Sequence, residues 1–239
     1  GVGQHQMFAA HYLTRPGESF PAGATVNARG VNFAIFSRHA TGATLLLYRG
    51  PRDRAPIQAI ELDPLANRTF FFWHVQVEGA GAGLWYTWKV TGPDDVAHSG
   101  CRFDGRRELL DPWARIVSDA LWDRSLAALA PEPDVAIRAQ VAADEPYDWE
   151  GDQPVMHAPE DSIIYELHVR GFTRHASAGV KAPGTFRGLI EKIPYLHALG
   201  VTEVELMPVM AFDPQDVPAG GAELGLKNYW GYSPYGFFA

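Results

Sequence analysis

Between Ser162 and Val209 the hydrophobic period changes twice, and this feature restricts the possible folds more than any other. "SIIYELHV" reads as a strand and is followed by a Gly- and polar-rich loop. Phe186, Leu189, Ile190, Ile193, Leu196 and Leu199 then recur at helical spacing, and Gly200 stands where a C-terminal cap belongs. Pro194 lacks a backbone donor, so it kinks or divides that helix. "VTEVELMPV" returns to strand. Strand, helix and strand with short connections form a βαβ unit with parallel strands and a right-handed crossover. One such unit leaves a sheet face and both edges bare, so it cannot fold alone and needs further strands.

Upstream the pattern is β. "GVNFAIFS" sets Val31, Phe33 and Ile35 on one face at period two, and "TGATLLLY", "FFFWHVQVEG" and "GLWYTWKVTGP" supply further strands bounded by turn residues. This spacing predicts a sandwich. In the last of these strands Leu84, Tyr86, Trp88 and Val90 face one way, opposite Trp85, Thr87 and Lys89. The stretch "ALAPEPDVAIRAQVAADEPYDWEGDQPVMHAPED" carries no sustained period and reads as a connector. The expected organisation is an N-terminal segment over 1–19, a β-sandwich over 20–117, a connector over 118–160 and a βαβ-containing unit over 161–239.

Composition narrows the function. A hydrophobic content of 46% suffices for packed cores, and 20 Lys+Arg against 28 Asp+Glu leave a net charge of −8. That balance argues against nucleic acid or an anionic membrane as partner and fits a neutral, polar ligand. Cys101 is the only cysteine, so no internal disulfide forms, and a reducing, cytoplasmic setting is expected. No apolar run reaches the roughly 20 residues that span a bilayer, and the N-terminal residues lack a secretory pattern.

Glu166 and His168 alternate on one face of the first late strand and Glu205 lies in the second. Paired carboxylates are what glycoside hydrolysis requires. The same residues inside a closed parallel barrel serve as structural pairs below the catalytic mouth, and that reading is preferred. The nine histidines form no ligand pair of the HExxH kind. Asp213 and Asp216 lack the further oxygen donors that calcium needs and read as a solvated loop. Trp73, Trp85 and Trp88 could stack on sugars, although core packing is the default for strand aromatics. In "NYWGYSPYGFFA" the glycines free the backbone to present Trp230 and Tyr232 from a loop.

With these pieces in place, "IYELHVRGFT", "YLHALGVTEVELMPV" and "NYWGY" resemble the opening strands of the α-amylase superfamily, in its isoamylase and glycogen-debranching branch. Upstream, "GVNFAIFSRHA", "RFDGRRELLDPWAR" and "YDWEGDQP" are similar to that branch's immunoglobulin-like β-sandwich, of the carbohydrate-binding module 48 kind, and its connector. The resemblance implies a β-sandwich followed by the first β-α-β portion of a (β/α)8 TIM barrel, truncated after strand 2. It also implies retaining hydrolysis of α-1,6 branch linkages in glycogen, amylopectin or limit dextrins. The Asp nucleophile, the Glu acid/base and the stabilising Asp of such enzymes fall on barrel strands beyond the second. The 239 residues alone are therefore expected to be inactive, an N-terminal part whose partners are α-glucan and the remainder of its own barrel.

By the same resemblance, Tyr232 matches a tyrosine that stacks on the glucose beside the scissile bond, and Trp230 matches the pattern of debranching relatives at a sugar-contacting position. Glu166, His168 and Glu205 match architectural positions. Ala211 stands at or near the acidic ligand position of calcium-binding isoamylases, so no calcium, other metal or cofactor is expected. Glycogen branching enzymes and maltooligosyltrehalose trehalohydrolases share the two strand motifs, but the long span from Pro208 to Trp230 favours debranchers. A non-catalytic glycan-binding protein using the sandwich alone is the alternative from another class. Against it stands the lack of an obvious exposed aromatic platform.

Overall fold

The computed structural model describes residues 11–129, 136–144, 148, 150–156, 158–218 and 220–236. They divide between two compact units, Gly1–Glu145 with Gly236–Ala239, and Pro146–Tyr235. In chain order the first unit holds β1 (Thr14–Arg15), β2 (Gly23–Asn27), β3 (Gly30–Phe36), β4 (Gly42–Tyr48), β5 (Gln58–Glu61), β6 (Arg68–Thr69) and β7 (Phe72–Glu78). Then come β8 (Trp85–Thr91), β9 (Asp94–Asp95), β10 (Cys101–Arg102), β11 (Ile116–Ser118), helix α1 (Arg124–Leu129) and β12 (Arg138–Gln140).

Two five-stranded antiparallel sheets result, and β9 and β10 form a separate two-stranded pair. One runs β1-β7-β3-β2 with β6 also on β7, and the other runs β11-β12-β8-β4-β5. The period-two pattern does what it predicts: Val31, Phe33 and Ile35 of β3 and Trp73, Val75 and Val77 of β7 are buried against Leu45, Leu47, Tyr86 and Trp88 of the other sheet. Phe33 meets Tyr86 edge-on at 4.9 Å. Trp73 and Trp88 are thus core residues, while Trp85 is half-buried on the outer side.

The outer faces are better covered than alternation alone indicates. Thr87 is fully buried and donates to Glu108 Oε1 at 2.9 Å, and Tyr48 Oη donates to the same oxygen. Arg138 is fully buried with its guanidinium 3.6 Å from the Tyr48 ring, and it donates to the Gly50 carbonyl at 3.1 Å. Asn32, on the outer side of β3, exchanges two hydrogen bonds with the Glu18 backbone.

These contacts redraw the expected boundaries. Thr14 and Arg15, expected within the N-terminal segment, pair with β7, and Glu18 N donates to Asn32 Oδ1. Residues 138–140, assigned to the connector, pair with Tyr86 and Trp85 of β8. A three-residue strand is too short to show a period, so its place was invisible in the sequence.

The second unit contains β13 (Ile164–Leu167), α2 (Val169–Phe172), α3 (Phe186–Glu191), α4 (Ile193–Ala198) and β14 (Glu203–Leu206). β13 and β14 pair in parallel, Ile164 opposite Glu203 and Leu167 opposite Leu206. Thr185 caps α3 by accepting from Gly188 N at 3.2 Å. The helix is divided, with Lys192 between α3 and α4, and Pro194 falls in the first turn of α4, where a missing N–H costs nothing. Gly200 adopts φ +82° and closes α4 by donating to His197 O at 2.9 Å. Ile164, Val204, Leu206, Phe186, Ile190 and Ile193 remain exposed.

Candidate functional site

β13 ends at Leu167, which is buried, and the chain turns at once into α2. His168 makes that turn: its Nδ1 accepts from Gly171 N at 3.1 Å, which fixes the ring at the carboxyl end of the strand. Tyr229 stacks on this ring at 4.7 Å with an interplanar angle of 20°. Trp230 meets His168 edge-on at 5.8 Å and Tyr229 at 5.5 Å. Arg170 lies 5.9 Å from the Tyr229 ring, so four side chains lock one another in place.

A cavity of about 430 Å³ opens on one side of this cluster, with Tyr165, Glu166, Phe172, Met207 and Trp230 on its walls. A second, of about 250 Å³, lies against the other side, with Arg170, Phe186, Met210 and Phe212. His168 and Tyr229 border both. Among the described residues, Glu166 is the one carboxylate on the larger cavity.

Trp230 reaches this place because of its neighbour. Gly231 has φ +81°, and a Cβ there would sit 3.2 Å from Phe212 Cδ1 and 3.4 Å from Pro208 O. Asn228 ties the loop down, donating from Nδ2 to Tyr232 O at 3.1 Å.

The residues singled out from sequence are distributed unevenly over this site. Trp230, Glu166 and His168 come together on the larger cavity. Tyr232 is exposed and lines neither cavity. Glu205 pairs with Glu166 across the parallel strands and is exposed. Tyr229 was missed, although it stands in the same aromatic run, because nothing in a single sequence shows which ring turns back onto His168. The solvated-loop reading of Asp213 needs correction: the residue is buried and its Oδ1 accepts from Gln215 N at 2.8 Å. Among the described residues no three His, Cys, Asp or Glu side chains gather into a metal-binding group. No helix among them is long and apolar enough to cross a membrane.

A two-sheet antiparallel sandwich with a βαβ unit, whose aromatic cavity sits at the strands' carboxyl ends, defines the class. Residues 21–114 match the family Carbohydrate-binding module 48 (Isoamylase N-terminal domain). Over most of its length the chain is similar to isoamylases and glycogen debranching enzymes. It is 35% identical over 227 residues to Isoamylase 1, chloroplastic, of Arabidopsis thaliana, covering 92% of this chain and 28% of that protein. It is 36% identical over 235 residues to the Glycogen debranching enzyme of Klebsiella pneumoniae (strain 342), covering 93% of this chain and 34% of that protein. The chain therefore spans only about a third of the length of such relatives. In fold it is similar to a pullulanase from Paenibacillus barengoltzii, with a TM-score of 0.65 at 23% identity, covering 92% of this chain and 32% of the pullulanase.

Proposed function

We propose that the chain supplies the sandwich and the opening strands of the (β/α)8 barrel of a debranching glycoside hydrolase. In this reading the enzyme cleaves α-1,6 branch linkages in glycogen- or amylopectin-type glucans by a retaining mechanism, in the cytoplasm. The observation that carries the reading is the position of the aromatic cavity, beyond the carboxyl ends of two parallel strands, where α/β folds place their ligands. Rings suit the apolar C–H faces of glucose, and Arg170, on the adjoining cavity, can meet its hydroxyls. The exposed apolar side chains of β13, β14 and the helices fit a unit that is one sector of a larger barrel.

Within that enzyme Trp230 forms part of a sugar-contacting wall, and Tyr232 stacks on the glucose beside the scissile bond. Glu166, His168 and Glu205 hold the architecture beneath them. The bond-breaking carboxylates are supplied by later strands. A protein comprising this chain and the rest of the barrel should release reducing ends from amylopectin, Trp230→Ala should lower that activity about tenfold or more, and the 239 residues alone should release none. Transfer of glucan chains to sugar hydroxyls, with branching increased, would instead make it a branching enzyme.

A further inference from the structure

Trp230 is held by rings alone. It is 52% exposed, and among the described residues nothing hydrogen-bonds its indole. Its orientation is set by two edge-on contacts, to Tyr229 at 5.5 Å and to His168 at 5.8 Å. His168 is fixed from below, because its Nδ1 accepts from Gly171 N.

Tyr229 has a seat of its own between these groups. Its ring stacks on His168, and its hydroxyl end lies over Gly171, where a Cβ would stand 2.9 Å from Tyr229 Oη. Gly171 lies within α2 and its φ is not positive, so the backbone there does not call for glycine. Helix propensity favours alanine at such a position. The close approach of the Tyr229 hydroxyl is what requires the missing side chain. The next neighbours of that Cβ are His168 Nδ1 at 3.6 Å and His168 Cβ at 3.8 Å, ordinary contact distances.

We infer that Tyr229 is a positioning residue: seated on His168 and over Gly171, it fixes the orientation of Trp230 before a glucan arrives. This rests on the reading that Trp230 contacts the glucan. A half-exposed indole that is free to turn gives up rotamer freedom when a sugar stacks on it, whereas one already held does not. The gain belongs to binding and not to the bond-breaking step, so its loss appears in KM and not in kcat.

The test uses the protein comprising this chain and the rest of the barrel, with amylopectin as substrate and 5-fluorotryptophan incorporated. Trp230→Phe identifies the Trp230 fluorine resonance. Tyr229→Leu, which removes the stacked ring, should raise KM about tenfold, change kcat less than about twofold and shift or broaden that resonance. Tyr229→Phe keeps the ring and should hold KM within about twofold of wild type. Gly171→Ala presses on Tyr229 Oη and should raise KM about fivefold, and Gly171→Ala/Tyr229→Phe, which deletes the hydroxyl pressed upon, should recover most of that loss. A merely structural contact would lower Tm and leave KM and the resonance unchanged. Unchanged KM and resonance in Tyr229→Leu overturn the assignment, as does a double variant no better than Gly171→Ala. Should Tyr229→Leu fail to fold, the Gly171 pair still decides. A wild-type protein that releases no reducing ends removes the functional reading instead, and the resonance then decides whether Tyr229 holds Trp230.

Discussion

Asp111 lies inside the sandwich, accepting from Tyr86 Oη at 2.7 Å and from Trp113 N at 2.9 Å. Burial pushes its carboxyl up to about 6, and the two hydrogen bonds pull the other way without cancelling it. The native state therefore holds a proton that the unfolded chain releases near pH 4. The stability from this group is full below pH 4, is lost as pH rises through 6, and stays lost above it. Urea unfolding at several pH values should show Asp111→Asn flattening this dependence by about 2–3 kcal/mol between pH 4 and 7. Gly231 supplies a second single-residue test. Gly231→Ala places a Cβ against Phe212 at a positive φ, and should cost about 1–2 kcal/mol and displace Trp230, visible as a shift in tryptophan fluorescence.

Among elements, β12 shows how a strand of three residues earns its place. Its Arg138 packs on Tyr48, yet Nε and Nη2 meet no partner among the described residues. Packing and charge can therefore be separated. Arg138→Ala, which removes both, should destabilise by about 2–4 kcal/mol in denaturant titrations, whereas Arg138→Met, which keeps most of the volume, should fall within about 1 kcal/mol of wild type. The long strands were legible because their alternation extends over seven residues, as in β3, β7 and β8. The helix break beside Pro194 and the cap at Gly200 were legible because each depends on the covalent structure of one residue. β1 and β12 were not, since their pairing is decided by distant partners. The turn between β6 and β7 was hidden for a similar reason: "FFFW" reads as one strand, and only the pairing of Thr69 with Phe72 shows that Phe70 and Phe71 leave it.

At the scale of the molecule the two units differ in how they hold themselves. The sandwich buries large side chains from both sheets, while every residue of β14 is exposed and β13 buries only Leu167. Hydrogen exchange should report this directly: amides of β3, β4, β7 and β8 should exchange far more slowly than those of β13 and β14. Equal protection in both would show the βαβ unit to be stable by its own contacts.

The sequence by itself determined the sandwich strands, the parallel βαβ unit and the aromatic loop that presents Trp230, because periodicity, proline and glycine act through neighbours along the chain. The tertiary structure alone decided which side chains meet. It put Tyr229 on His168, took Tyr232 away from the cavity, buried Arg138 and Asp213, and left Phe36, Phe70 and Phe71 in solvent. Those outcomes depend on packing between residues far apart in sequence, where local pattern carries no information about the partner.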